Sequence, residues 1–578
     1  MIKWQRPKYF PCLPLGDNNS KITECEKHIE LSRVAATEGT VLLKNKHSLL
    51  PLKKGTKVAI FGKGQIDYVK GGGGSGDVYC SYVRNIYQGL KMKSAHLDVF
   101  DSLSLYYQEY VEAKYKEGAT PGMFDEAPVS GELLSKAKEY ADTAIIVINR
   151  YSRENEDRRN DETDNYFYLT EAEQVMVSAV TDNFEHIVVL LNVGAMIDTS
   201  WFAYNDRIAA AVALWQGGME GGLAAADILV GDANPSGKLV DSCAKSFDDY
   251  PSSEGFHESD DYVKYTEDIF VGYRYFETIP DKKDCIVYPF GYGLSYTTFT
   301  LSDIHASLSG ENILATVKVT NTGSCAGKEV VQLYYSAPTG KLDKPARELC
   351  GFAKTKALKP GESDILHITF AINDMASYDD MGAIATSCYV LEKGIYKFHI
   401  GTSVRDTQEI DFSYELKDNV IVEQLQTYCA PEKLEKRMKA DGTYKEILCV
   451  PVERKTFSCD YKFATKPEPK LMVKKVSNNP AEPNTGYKPV PYSLLDVADG
   501  LIDLDSFIAQ MTDEELCHLV GGQPNRGVSR ISGMGDLDRL GIPSVMTLDG
   551  PAGARIEPTV GLHTTAFPVA RPLHVLGI

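Results

Sequence analysis

Nothing in this 578-residue chain approaches the roughly 20 consecutive apolar residues that a membrane-spanning helix needs. No block of Lys and Arg stands out. The chain carries 61 Lys and Arg against 80 Asp and Glu, a formal net charge of −19. Nucleic-acid binders need a basic face, so neither a nucleic-acid nor a membrane partner is expected. The acidic balance favours solubility and suits a neutral substrate. The 12 cysteines are scattered singly with no C-x-x-C pair. That spacing argues against zinc ligation or a disulfide framework and predicts reduced thiols in a cytoplasmic protein. H-E-x-x-H, a Cys/His cluster and G-x-S-x-G are also absent, so no metal, no cofactor and no serine-hydrolase elbow are expected. Residues 1–16 mix Lys3, Arg6 and Lys8 with prolines and hold no apolar run of signal-peptide length.

What is present is ordinary for a globular protein: 43% apolar and 24% charged residues, with a length that suggests roughly three or four domains. Apolar runs at 57–61, 143–149, 187–191 and 209–215 read as buried strands, and helical stretches at 132–141 and 171–184 lie between them. Thr170 with Glu173 three residues on is a capping box. Strands alternating with helices predict an α/β fold whose mainly parallel sheet is covered on both faces. Residues 245–300 are rich in aromatics and glycines and read as a connecting segment. From 301 to 416, runs at 316–320, 329–335, 364–370 and 395–401 are separated by turn signals such as Asn321-Thr322-Gly323 and Lys359-Pro360-Gly361, which predicts a small β-sandwich. Residues 466–491 are rich in Lys, Pro and Asn and read as a linker. A helical pattern resumes at 501–521, with Thr512 and Glu515 as a second capping box, and a strand-like run follows at 543–548.

In open α/β sheets, chemistry gathers beyond the carboxyl ends of the strands. After 57–61 comes Gly62-Lys63-Gly64 and then Gly71 to Asp77. Asp67 stands where a G-x-G-x-x-G would need its third glycine, so the loop fits close backbone approach better than phosphate binding. After 143–149 comes Arg150 to Arg159, which offers Glu154, Glu156 and Asp157: a solvated loop of ion pairs, or a site with carboxyl groups for glycoside chemistry. After 209–215 comes Gln216 to Gly222, where Glu220 reads as a helix-start residue rather than a catalyst. Near the C-terminus, Asp549 to Arg555 is either a turn with an ion pair or a hydroxyl-binding corner.

Together these segments resemble glycoside hydrolase family 3. EGTVLLKNKHSLLPL, KVAIFGKG with GGGGSGDV, VVLLNVGAMIDTSW, ALWQGGMEGGLAAADILVGDANPSGKL and YPFGYGLSYTTF resemble its α/β sandwich domain. VKVTNTGSCAGKEVVQLYY resembles its fibronectin type III-like domain, and MTDEELCHLVGG with GIPSVMTLDGPAGAR resembles the opening of its catalytic barrel. The order, sandwich first and barrel last, is the rearranged one found in some members. The resemblance implies an α/β sandwich at 1–245, a connecting segment at 246–300, a fibronectin type III-like β-sandwich at 301–416, a linker or insert at 417–495 and an incomplete (β/α) barrel segment at 496–578.

It further implies a retaining β-glucosidase acting on a small carbohydrate substrate, with two carboxyls about 5–5.5 Å apart. The family's R-x-S-x-E-x-x-D-R loop falls on Arg150 to Arg158, which puts the acid/base at Glu154 with Glu156 as competitor; Arg153 replaces the glycine that usually precedes the Glu. Neighbouring arginines would lower the pKa of Glu154, while burial and the adjacent acids would raise it. The family's D-G-P-x-G-V-R motif falls on Asp549 to Arg555, with Ala554 for Val, and implies sugar binding by Asp549 and Arg555. A closed barrel takes about 250 residues. Only about 80 follow the linker, and no residue matches the family's nucleophilic Asp. Resemblance also fades from Val569 to Ile578, so a truncated copy is expected. The competing readings are a non-catalytic carbohydrate-binding or interaction protein, a nucleotide-binding α/β protein, and, within the family, a β-xylosidase or α-arabinofuranosidase. A homo-oligomer is left open.

Overall fold

The computed structural model describes residues 23–152, 154, 167–256, 258–427, 434–447, 472–475, 487–524, 532–545, 547–558 and 562–569. The chain divides into two compact units. One comprises Glu26–Asp77, Tyr82–Val452 and Ala566–Ile578; the other comprises Met1–Cys25, Val78–Ser81 and Glu453–Thr565.

The larger unit begins with helix α1 (Glu26–Gly39) and a six-stranded sheet: β1 (Val41–Asn45), β2 (Thr56–Phe61), β3 (Leu97–Val99), β4 (Thr143–Asn149), β5 (His186–Asn192) and β6 (Ala210–Ala213). The order is β1-β6-β5-β4-β2-β3. All neighbours are parallel except β1, which runs antiparallel along β6 at the edge. The period-2 geometry of a strand sends successive side chains to opposite faces, and here both faces are apolar. Ala144, Ile146 and Ile148 join Leu103, Tyr107, Ala137, Val177 and Val180 from α3 (Asp101–Lys116), α4 (Gly131–Tyr140) and α5 (Glu171–Asn183). Ile145 and Val147 join Ile86 and Leu90 from α2 (Ile86–Lys91), together with Leu223 and Ile228 from the helix Gly221–Val230. Continuous apolar runs are therefore what such strands require.

The capping box forms as its spacing predicts: Thr170 Oγ1 accepts from the Glu173 amide at 3.3 Å, and the Thr170 amide donates to Glu173 Oε2 at 2.9 Å. Strand β6 is shorter than the apolar run 209–215, because Trp215 adopts a left-handed φ of 57° that ends the ladder. Its indole, fully buried, donates to Gly39 O at 3.1 Å.

The connecting region adds the short pair Cys243–Ala244 and Ile286–Tyr288 and the one-turn helix Tyr273–Phe276. An antiparallel β-sandwich follows. One sheet sets Asn312–Asn321 between Phe299–Ser309 and Ser363–Ala371; another runs Glu348–Lys354, Val330–Ser336, Gly394–Gly401, Thr407–Leu416. Asn312–Asn321 alternates between buried and half-buried residues along its whole length, with Ile313, Ala315, Val317 and Val319 in the core. The turn at Lys359 closes by a Glu362 amide to Lys359 carbonyl bond of 2.9 Å, with Gly361 at φ 80°, the conformation a type II turn demands of its third residue. Val420–Gln424 pairs with Cys388–Leu391, and the hairpin Lys436–Met438 with Tyr444–Glu446 follows. Of 466–491, the described residues are the paired strands Met472–Lys475 and Tyr487–Val490 and the following Pro491.

The smaller unit packs the helices Leu494–Ala498, Leu504–Ile508 and Asp513–Gly521 around Ile502, Phe507, Met511 and Leu540. Its Thr512–Glu515 capping box forms. The strand-like run at 543–548 appears as Ile542–Val545, paired antiparallel with Ser532–Leu537. Among the described residues no helix is long and apolar enough to cross a membrane, and no two cysteines are joined by a disulfide.

Candidate active site

The sheet order reverses beside β2: the chain passes from β2 outward to β3, then returns to lay β4 on the other side of β2. At such a switch point the connections diverge and leave a crevice at the carboxyl ends of the strands. Two loops rise from it, 62–77 after β2 and the segment beginning at Arg150 after β4.

The first loop rests on a buried polar frame. Gly62 sits at φ 98°, and a Cβ there would lie 2.2 Å from the Val147 carbonyl oxygen, so the backbone crosses β4 at a distance only glycine permits. Lys63, 3% exposed, donates through Nζ to Asp67 Oδ2 at 2.9 Å and Asn149 Oδ1 at 3.0 Å. The Asp67 carboxylate also receives the Tyr115 hydroxyl at 2.7 Å, the Gly122 amide at 2.9 Å and Asn149 Nδ2 at 3.1 Å. Asp67, which breaks the dinucleotide-type glycine pattern, thus fills the loop with its own ion pair. Glu126 accepts from the Lys63 amide at 3.0 Å and the Ala127 amide at 2.9 Å. Burial pushes its carboxyl up to about 7 against the opposing pull of those amides and the Lys63 charge.

The rest of this loop reaches the second one. Lys70 Nζ pairs with Asp77 Oδ1 at 2.6 Å and closes the loop's base. The Gly73 amide donates to the Ser152 carbonyl at 3.0 Å, and the Ser75 hydroxyl donates to Glu154 Oε1. Glu154, an exposed side chain just past β4, thereby meets the glycine-rich loop. Glu156, Asp157, Arg153, Arg158 and Arg159 lie outside the described residues.

Arg150 is not spent on Glu154. Its Nη1 and Nη2 meet Glu173 Oε1 and Oε2 at 2.6 and 2.8 Å, and Nη2 also donates to the Tyr168 carbonyl at 3.0 Å. Glu220 stands at the N-cap position of Gly221–Val230 but makes no side-chain capping bond; its carboxylate accepts from the Tyr82 hydroxyl at 2.5 Å and Arg84 Nε at 3.1 Å.

In the smaller unit Asp549 and Arg555 come together. The Arg555 amide donates to the Asp549 carbonyl at 2.9 Å, and Nη1 approaches Asp549 Oδ2 at 3.4 Å. The turn between them needs Gly553, at φ 125°, whose Cβ would stand 2.3 Å from the Thr565 carbonyl oxygen. The guanidinium lies 5.9 Å from the Tyr79 ring centre, and its buried Nε has no hydrogen-bond partner among the described residues. Sequence reasoning did not find Ser75, the Lys63–Asp67–Asn149 frame or the Arg150–Glu173 pair. The one local signal was the four-residue spacing of Lys63 and Asp67, which a glycine-rich context conceals.

The glycosyl hydrolase family 3 C-terminal domain matches residues 40–296, and a fibronectin type III-like domain matches residues 329–404. β-Glucosidase A of Butyrivibrio fibrisolvens is 48% identical over 615 residues, covering 98% of this chain and 73% of that protein. The chain belongs to glycosyl hydrolase family 3. A β-glucosidase of Ruminococcus albus is 38% identical across 94% of this family 3 chain and 56% of its own length. The crystal structure of a β-glucosidase from Paenibacillus barengoltzii superposes with a TM-score of 0.83 at 37% identity, covering 96% of this chain and 61% of that one. The family 3 chain thus spans between 56% and 73% of these three relatives.

Proposed function

We propose that this family 3 chain serves the retaining hydrolysis of O-glycosidic bonds that release terminal β-D-glucose, and that Glu154 is its general acid and base. The observation that carries the reading is a carboxylate held above the crevice of an α/β sheet by the Ser75 hydroxyl, in a chain whose relatives are β-glucosidases. In this role Glu154 gives its proton to the leaving oxygen as the C1–O bond breaks. It then takes a proton from the water that attacks C1, so the carboxyl ends as it began. No residue of this sequence is assigned as the nucleophile.

Asp549 and Arg555 take the role of sugar binders. Asp549 offers acceptor oxygens to hydroxyls, and the Arg555 guanidinium offers donors beside it. In domain terms, 1–245 carries the acid/base and 496–578 carries the sugar-binding corner. Singly placed cysteines suit a reducing cytoplasmic setting.

The test compares the chain alone with the chain joined to the part of the Butyrivibrio fibrisolvens protein that it does not match. Hydrolysis of aryl β-D-glucosides by the joined protein, exceeding that of β-xylosides and α-arabinofuranosides, supports the reading; preference for either pentoside reassigns the substrate. Asp549→Ala should raise KM and lower kcat for glucosides, and unchanged kinetics reject its role. Binding of glucosides with no turnover in the joined protein turns the reading toward a carbohydrate-binding module.

A further inference from the structure

The glycine-rich loop has no part yet in the chemistry, although it meets Glu154 at two points. Ser75 donates its hydroxyl to Glu154 Oε1. Gly74 lies under the other oxygen: at φ 76°, a Cβ built there would stand 2.5 Å from Glu154 Oε2 and 2.7 Å from the carboxyl carbon. The carboxylate therefore occupies space left by a missing side chain, and one of its oxygens is tied down.

The loop that presents Ser75 is itself anchored. The Lys70–Asp77 ion pair holds its base, the Gly73 amide bonds the Ser152 carbonyl, and Gly72 has the same carbonyl 3.3 Å from where its Cβ would be. A hydroxyl carried on a clipped loop loses little further entropy when it makes its bond.

We propose that Ser75 is a positioning residue for Glu154: its hydroxyl binds Oε1 and holds the carboxyl in the recess over Gly74, oriented for proton exchange. This rests on the acid/base reading of Glu154. Because a serine hydroxyl both donates and accepts, it can follow the carboxyl through both protonation states without moving. The required feature is a short side chain bearing a hydroxyl at position 75, next to a glycine at 74.

A first test needs no turnover. The full chain is labelled with 13C at the glutamate side-chain carboxyl, and the Glu154 resonance is identified as the one lost in Glu154→Gln. Ser75→Ala should shift that resonance, and Ser75→Thr, which keeps the hydroxyl, should leave it near its wild-type position. A resonance that stays in place in Ser75→Ala overturns the proposal; so does one displaced equally by Ser75→Thr. In the joined protein described above, Ser75→Ala should lower kcat about tenfold for alkyl glucosides, the loss of one oriented hydrogen bond. It should barely affect dinitrophenyl glucosides, whose departure needs no proton, and KM should hold for both. An equal fall for both substrate classes points to a merely structural residue and refutes the assignment. If Glu154→Gln keeps wild-type rates while Ser75→Ala still moves the resonance, the acid/base reading has failed and the Ser75–Glu154 contact stands.

Discussion

Arg150 and Glu173 face each other through two parallel hydrogen bonds of 2.6 and 2.8 Å, with their side chains 9% and 4% exposed. One lies just past β4 and the other in the first turn of α5, so the pair fastens the base of the Glu154 loop to the helix that packs under the sheet. Burial pushes the Glu173 carboxyl up, but Arg150 and the Thr170 amide outweigh it and hold the group below its ordinary 4.5.

Removing one partner strands the other charge in the interior, which costs about 3–5 kcal/mol. Glu173→Gln should therefore lower unfolding stability by roughly that amount, read from the denaturant midpoint. A carboxyl held low in the folded state stabilises above its unfolded value and loses that contribution as pH falls through the folded one. Wild type should lose stability below about pH 4.5 more steeply than the variant.

Glu126 predicts the opposite slope. Its carboxyl is raised by burial from 4.5 to about 7, so the folded state holds a proton that the unfolded chain releases. That contribution is complete below pH 4.5 and is lost as pH rises through about 7. Stability of wild type relative to Glu126→Gln should fall across this interval in urea melts at a series of pH values. A constant difference would contradict the burial argument.

Gly62 and Gly55 form a controlled pair. Both have positive φ, 98° and 86°, but a Cβ at Gly62 meets the Val147 carbonyl oxygen at 2.2 Å whereas one at Gly55 meets nothing within 4 Å. Gly55→Ala should cost only backbone strain, about 1 kcal/mol, and Gly62→Ala clearly more, about 3 kcal/mol or above. Thermal denaturation of the two variants makes the comparison. Equal losses would mean that close approach to β4 does not shape this loop.

These residues also mark where the sequence is legible. The runs at 143–149 and 187–191 became β4 and β5 almost residue for residue, because strands buried on both faces must be apolar throughout. Both Thr-x-x-Glu capping boxes formed as spaced, since their partners lie within one helical turn. Trp215 shows the limit: its side chain reads as strand, yet a left-handed backbone ends β6 before it, and no local propensity signals that φ. Lys63 and Asp67 look like surface charges in a loop; only the tertiary arrival of Asn149, Tyr115 and Gly122 makes them a buried pair. Glu154 was reached by motif, while its Ser75 partner, 79 positions earlier, comes from a loop that folding alone brings beside it.

The most direct test of Glu154 as the acid/base uses Glu154→Ala in the joined protein, with 2,4-dinitrophenyl β-D-glucoside as substrate and azide added. The good leaving group departs without a proton, and azide, which needs no general base, replaces water at the anomeric carbon. Glu154→Ala should be accelerated by azide and yield β-D-glucosyl azide, whereas wild type and Glu156→Ala should yield glucose alone. Azide rescue in Glu156→Ala, or none in Glu154→Ala while that variant keeps wild-type turnover of poor leaving groups, would contradict the account.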